Sequence, residues 1–231
     1  MSYLKYGSQY LKSDGSFIGG IAQQVIYPLN FDGSTYIQFD SVPAFPNNTI
    51  FDVTFGMYLD NNSGYNYDTL FYICNTTGPA STKNILAAYL VGDKIRFWGG
   101  TTGSNSDVEV DISSFSGQNI NTTVSIDTSQ VGNFCIIDDV KFNGASQSFT
   151  STGEGFSFYN TFRVGMVPDF TLSLLKNVTI WDLKIANTNW WKGYPGDQNS
   201  AWEDQIASIN GTLTGVPPGS LVNITTRPIT L

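Results

Sequence analysis

The chain has 231 residues, enough for one large all-β domain with a full two-sheet core. Charged residues make up 13% of it, and the formal net charge is −8 with a sequence pI near 4.3. The 11 Lys and Arg form no cluster, which leaves no footprint for nucleic acid or an anionic membrane, and the absence of histidine excludes His-based acid–base, triad and metal chemistry.

Residues 1–28 read as an N-terminal arm, in which Tyr3, Tyr6, Tyr10, Leu11, Phe17 and Ile18 punctuate a polar, glycine-bearing stretch. It carries no apolar core of the kind a secretory signal has, so the expectation is synthesis in the cytoplasm and release by another route. An arm this apolar is expected to form edge strands or to dock on a neighbouring chain. Leu29 to Phe39 alternates like a strand, and so does Lys176 to Ile185. Such a pair at the two ends of a run of short strands predicts a sandwich whose first and last strands lie side by side.

Between them, Phe51, Val53, Phe55, Met57 and Leu59 alternate strictly with Asp52, Thr54, Gly56, Tyr58 and Asp60, which predicts a strand with one buried face. Further strands are expected at Leu70–Asn75, Ile85–Val91, Lys94–Trp98, Val108–Ile112, Thr122–Asp127, Asn133–Asp138, Val140–Phe142 and Phe156–Gly165. Gly92-Asp93 and Asn143-Gly144 are two-residue hairpin signals, and Gly99 to Asn105 reads as a loop. In the last strand the apolar phase moves from Val178 and Ile180 to Trp181, Leu183 and Ile185, which predicts a β-bulge near Ile180-Trp181. One helix is expected: Ser200-Ala201-Trp202-Glu203 is a capping box, and Trp202, Ile206 and Ile209 repeat at helical spacing before Asn210-Gly211. No apolar run approaches the roughly 20 residues of a membrane span.

Cys74 and Cys135 each sit in an apolar strand, and the expectation is two buried free thiols, with no CxxC for a thiolate zinc site.

Phe31-Asp32-Gly33 with Tyr36-Ile37, the strand Phe51 to Leu59, Ile137-Asp138-Asp139 before Asn143-Gly144, Phe162-Arg163-Val164-Gly165, and Val178 to Ile185 follow one another in an order that resembles the laminin-G-like domains of the concanavalin A-like jelly roll. The resemblance covers residues 29–187. It implies an all-β jelly-roll sandwich, preceded by the arm and followed by a C-terminal extension, 188–231, that packs its short helix on the sandwich. The stretch from Trp191 to Thr212 resembles tails on such domains in bacteriophage virion proteins.

The resembled family is mostly carbohydrate- or protein-binding, with glycosidase branches. A retaining glycosidase needs two carboxyl groups about 5–5.5 Å apart. Glu109-Val110-Asp111 matches the first two positions of the glucanase pattern, but Ser114 stands where its acid/base belongs. No catalytic residue is therefore expected, and the chain is expected not to be an enzyme. Sugar binding needs aromatic faces beside polar groups, which makes Trp98, Tyr65, Tyr67, Trp190, Trp191 and Tyr194 the candidate ligand contacts. The resemblance also admits Ca²⁺, though no cofactor is required. The oxygen-bearing candidates are Asp60, Asn62 and Asp68 in one loop and Asp138 and Asp139 beside a turn.

The leading expectation is a virion structural or appendage protein (a phage decoration, spike or fibre component) that binds host-surface glycans. A homotrimer is expected, contacting other virion proteins through the arm. The alternatives are an extracellular, non-viral carbohydrate-binding module and a jelly-roll glycoside hydrolase.

Overall fold

A computed structural model describes residues 4–6, 9–11, 17–18, 25–26, 29–33, 36–59, 64–76, 84–101, 104–129, 135–151, 159–166, 175–191, 202, 204–214 and 229–230. Its strands, in chain order, are Leu4–Tyr6 (β1), Gln9–Leu11 (β2), Phe17–Ile18 (β3), Val25–Ile26 (β4), Leu29–Asp32 (β5), Tyr36–Phe39 (β6), Ile50–Leu59 (β7), Tyr65–Asn75 (β8), Asn84–Gly92 (β9) and Lys94–Thr101 (β10). They continue with Ser104–Asp111 (β11), Asn119–Asp127 (β12), Ile136–Phe142 (β13), Ala145–Ser146 (β14), Thr150–Ser151 (β15), Thr161–Val164 (β16), Lys176–Ile185 (β17), Asn189–Trp191 (β18), Gly211–Thr214 (β19) and Ile229–Thr230 (β20).

Two antiparallel sheets form the sandwich. One has eight strands in the order β15-β11-β10-β9-β8-β16-β6-β19. The other has seven, ordered β14-β13-β12-β7-β17-β18, with β5 also on β17. The inward residues of both sheets, among them Val53, Phe55, Met57, Phe71, Ile73, Phe97, Val124, Phe162 and Ile180, make one buried apolar cluster. This is the all-β sandwich that the alternating strands imply, and it is consistent with the jelly roll that the family resemblance implies. Outside it, β1, β2 and β3 pair as a small antiparallel sheet, and β4 pairs with β20 near the other end of the chain.

The framing strands do meet: Leu29 to Asp32 pairs with Ile180 to Lys176. The first one, however, is not continuous. The chain leaves the seven-stranded sheet at Gly33, whose φ is +85° and whose N–H donates to Leu175 O at 2.9 Å, and β6 joins the opposite sheet. On the last strand the register against β7 slips between Trp181 and Lys184, with Asp182 at φ +53°. The phase change in the sequence is this bulge. Both expected hairpins form: Val91 faces Lys94 across Gly92-Asp93, and Phe142 faces Ala145 across Asn143-Gly144.

The structure corrects two local expectations. Gly99 and Gly100 lie inside β10 and are not in a loop, and a β-carbon on Gly99 would sit 2.3 Å from Cys135 O on the opposite sheet. Among the described residues of 200–210 there is no helix. Trp202 and Gly211 exchange backbone hydrogen bonds at 2.7 and 2.9 Å, and Asp204 bridges Trp191. The cause is tertiary. Trp202 is fully buried, its ring 6.3 Å from that of Phe39, while Ile206, which a helix would have buried beside it, is 52% exposed. The Asp204 carboxylate fixes the alternative by accepting from the backbone N–H groups of Trp190 at 2.9 Å and Ile206 at 3.0 Å and from Asn189 Nδ2 at 2.5 Å.

Candidate functional site

The outer face of the eight-stranded sheet carries a second apolar cluster of Tyr72, Cys74, Ile85, Ala87, Tyr89 and Trp98. Cross-strand pairing sets Trp98 beside Ala87, Ala87 beside Tyr72, Tyr72 beside Arg163 and Arg163 beside Gln38, so one row of outward side chains crosses the sheet. At one end of this row the cluster is closed. Trp98 is only 1% exposed, and the Tyr159 backbone N–H donates to Tyr72 Oη at 2.9 Å. Burial holds both the Tyr72 hydroxyl and the Cys74 thiol well above their usual pKa ranges.

At the other end, where β6, β8 and β16 finish or begin, the sheet opens into a cleft of about 430 Å³. Its lining is Gln38, Phe39, Asp40, Ser41, Val42, Asn75, Asn160, Thr161 and Phe162. Beneath it Phe39 and Phe162 stack with centroids 3.7 Å apart, but both are buried in the main core and present no face to the cleft. Gln38 holds the wall rigid: its Nε2 donates to Thr161 Oγ1 at 3.1 Å and to Phe39 O at 2.9 Å, and its Oε1 accepts from Arg163 Nε at 2.6 Å. Asn160 Oδ1 accepts from the Thr76 N–H at 3.1 Å, which leaves its NH₂ group to donate. Thr161 Oγ1 already accepts from Gln38, so its hydroxyl proton is free to donate. Asp40 and Ser41 are exposed. The cleft therefore offers a carboxylate acceptor, two hydroxyls and an amide donor. That combination suits a ligand with several neighbouring hydroxyl groups.

The residues picked out from sequence are dispersed. Tyr65 is buried in the main core with its hydroxyl 3.5 Å from Asn177 O. Tyr67 is 45% exposed, holds φ +59°, and stacks on Tyr89 at 5.7 Å. Trp190 is half-buried on the outer face of the other sheet, where its indole N–H donates to Asp182 Oδ1 at 2.5 Å and the Lys184 ammonium lies 4.3 Å from its ring centre. Trp191 is fully buried, edge-on to Phe39 and Phe162, with its N–H on Ile209 O at 2.6 Å. Tyr194, Asp60 and Asn62 lie outside the described residues. Of the described aromatics, the structure places Trp98, Tyr65 and Trp191 out of reach of a surface ligand and leaves Tyr67 and Trp190 partly accessible on opposite faces.

The described acidic candidates are also apart. Asp68 is 1% exposed at a doubly bulged part of β8, accepts from the Asn66 N–H at 3.2 Å, and has no partner for Oδ2. Asp139 pairs with Lys141 at 3.2 Å and accepts from Ser146 Oγ at 3.0 Å, while Asp138 is exposed. No group of three or more metal-ligating side chains occurs among the described residues. Glu109 sits between Lys94 and Arg96, the latter at 2.6 Å. Desolvation raises its carboxyl, but the hydrogen bonds and charges of the two cations outweigh that and hold it below the ordinary carboxylate range. Asp111 is lowered by its hydrogen bonds to Ser113. This strand face is an ion-paired wall, not a carboxylate pair poised at different pKa values.

Sequence reasoning did not find the cleft, because its polar residues are single amides and hydroxyls from three separate segments. The one available signal was their position at strand ends.

No protein-family model matches the sequence, and comparison with curated proteins returns no match. Solved structures are similar to the chain. One is a protein from Bacteroides ovatus for which carbohydrate binding has been suggested, with 15% sequence identity and a TM-score of 0.51 over 90% of this chain. The chain spans 62% of that protein's length. Another is a heptameric SAP-like pentraxin from Limulus polyphemus, with 16% identity and a TM-score of 0.44 over 69% of this chain and 75% of the pentraxin. At 15% identity the likeness to the Bacteroides ovatus protein is one of architecture.

Proposed function

We propose that this protein is a lectin-like carbohydrate-binding module that takes its ligand in the Gln38–Asp40–Asn160 cleft. The observation that carries the reading is the polar lining itself: a carboxylate, hydroxyls and an amide donor around one cleft, its wall held by the Gln38 hydrogen bonds. The Bacteroides ovatus protein of the same architecture supports it by analogy only. The reading involves no catalysis, since Glu109 and Asp111 are both held as structural anions. The test is calorimetric titration against a panel of oligosaccharides. Binding is expected, and Asn160→Ala should abolish it; because the change also removes the exposed hydrogen bond from the Thr76 N–H, the melting temperature should fall by no more than about 2–4 °C. Binding that survives Asn160→Ala, or none across a broad panel, overturns the assignment.

A finer reading places the module on a phage particle as an appendage component, and it is supported by the resemblance of residues 191–212 to virion tails. It predicts that the chain co-purifies with particles and that native mass spectrometry gives a trimer. A monomer at high concentration counts against that oligomer.

A further inference from the structure

Resting on the cleft as a sugar site, we propose that it selects neutral over acidic glycans and that Asp40 sets this preference. The nine lining residues include one carboxylate and no Lys or Arg. Asp40 is exposed, and its position is fixed by its own N–H, which donates to Asn210 O at 3.1 Å. The cation nearest along the sheet row is Arg163, and it is already engaged. Its Nε donates to Gln38 Oε1 at 2.6 Å, its guanidinium lies 5.2 Å from the Tyr36 ring centre, and Nη1 lies 3.9 Å from Met166 Sδ. A uronate or sialic-acid carboxylate in the cleft would face Asp40 with no counter-charge among the described lining residues. A neutral sugar can instead donate two hydroxyls to the Asp40 oxygens and accept from the Asn160 NH₂ group. Two like charges at about 5 Å weaken binding roughly fourfold at the dielectric of bulk water, and on the order of a hundredfold or more at that of a protein surface.

The experiment is calorimetric titration of the full chain with neutral oligosaccharides and their uronate counterparts of the same linkage, at low and high salt. Wild type, Asp40→Asn and Asn160→Ala are compared. Asp40 is exposed, so Asp40→Asn should fold normally, and its melting temperature checks this. The expected result is at least roughly fourfold weaker binding of the uronate by wild type at low salt, a smaller gap at high salt, and near-equal binding of the two sugars by Asp40→Asn. Equal binding of both by wild type, with Asn160→Ala abolishing both, overturns the selectivity and leaves the cleft assignment standing. Binding insensitive to Asn160→Ala removes the cleft assignment and the selectivity with it.

Discussion

Replacing Asp68 with Asn should stabilise the protein at neutral pH and make no difference in acid. Asp68 is buried, Oδ1 accepts one backbone hydrogen bond, and Oδ2 has no partner. Burial raises its pKa, against the opposing pull of the Asn66 N–H and the positive charge of Lys176. Between the unfolded value, about 3.9, and the raised folded value, the native state holds a proton that the unfolded chain has lost. Stability therefore falls as pH rises through that window, and the full penalty persists above it. Below the unfolded value both states are protonated and the penalty is absent. Asn is nearly isosteric with the protonated acid and neutral at every pH, so the pH-dependent part of the difference isolates the cost of ionisation.

The acid and the amide both leave the second position unpaired, so the difference is the cost of ionisation, about 1.4 kcal/mol for each tenfold by which burial weakens the acid. Asp68→Asn should thus gain about 1–3 kcal/mol over wild type between pH 4 and pH 7.5, or about 2–4 °C in melting temperature per kcal/mol for a chain of this size. The assay is urea denaturation of both proteins at the two pH values. A variant that is no more stable at pH 7.5 than at pH 4, relative to wild type, refutes the reasoning. So does millimolar Ca²⁺ that stabilises wild type alone, because Oδ2 would then be a ligand and not an orphan.

Gly56→Ala should destabilise by about 1–3 kcal/mol or more, since its β-carbon would sit 2.1 Å from the indole of Trp181, itself 2% exposed; an unchanged urea midpoint contradicts this. Trp98→Ala should cost about 3–5 kcal/mol by emptying the outer cluster, yet leave the affinity of the folded fraction intact. Loss of binding without loss of stability would instead make Trp98 a ligand contact. Cys74 and Cys135 are free and buried, and burial pushes Cys135 up to about 12. Neither should react with a thiol reagent in the native state and both should react in denaturant; rapid native labelling of either would show an opening that the burial does not allow.

The sandwich was legible because strict alternation and turn chemistry are local signals that burial reinforces. Phe51 to Leu59 folds as the alternation requires, and Asn143-Gly144 turns with φ of +51° and +83°. The helix was misread for the complementary reason. Its capping box and spacing are local, but burying Trp202 against Phe39 and satisfying the Asp204 carboxylate needs partners far away in the chain, and those contacts win. The burial of Trp98, Tyr65 and Trp191 was illegible for a related reason. A Trp in an alternating strand is known to face one side, but alternation cannot say whether that side is covered. Trp98 points away from the core and is still buried.

The cleft was illegible because it depends on a change of sheet. Gln38 to Val42, Asn75 and Asn160 to Phe162 share no motif or spacing, and they meet only because β6 pairs with β16, which pairs with β8. That pairing exists because the chain leaves β17 at Gly33 and carries β6 across the sandwich. Leu29 to Phe39 reads as one strand in sequence because both halves alternate with the same period. A side chain at position 33 would oppose the positive φ on which the break depends, so the cleft rests on a residue that takes no part in its lining. Apolar periodicity reports which residues are buried. It does not report which sheet buries them, and here that choice builds the site.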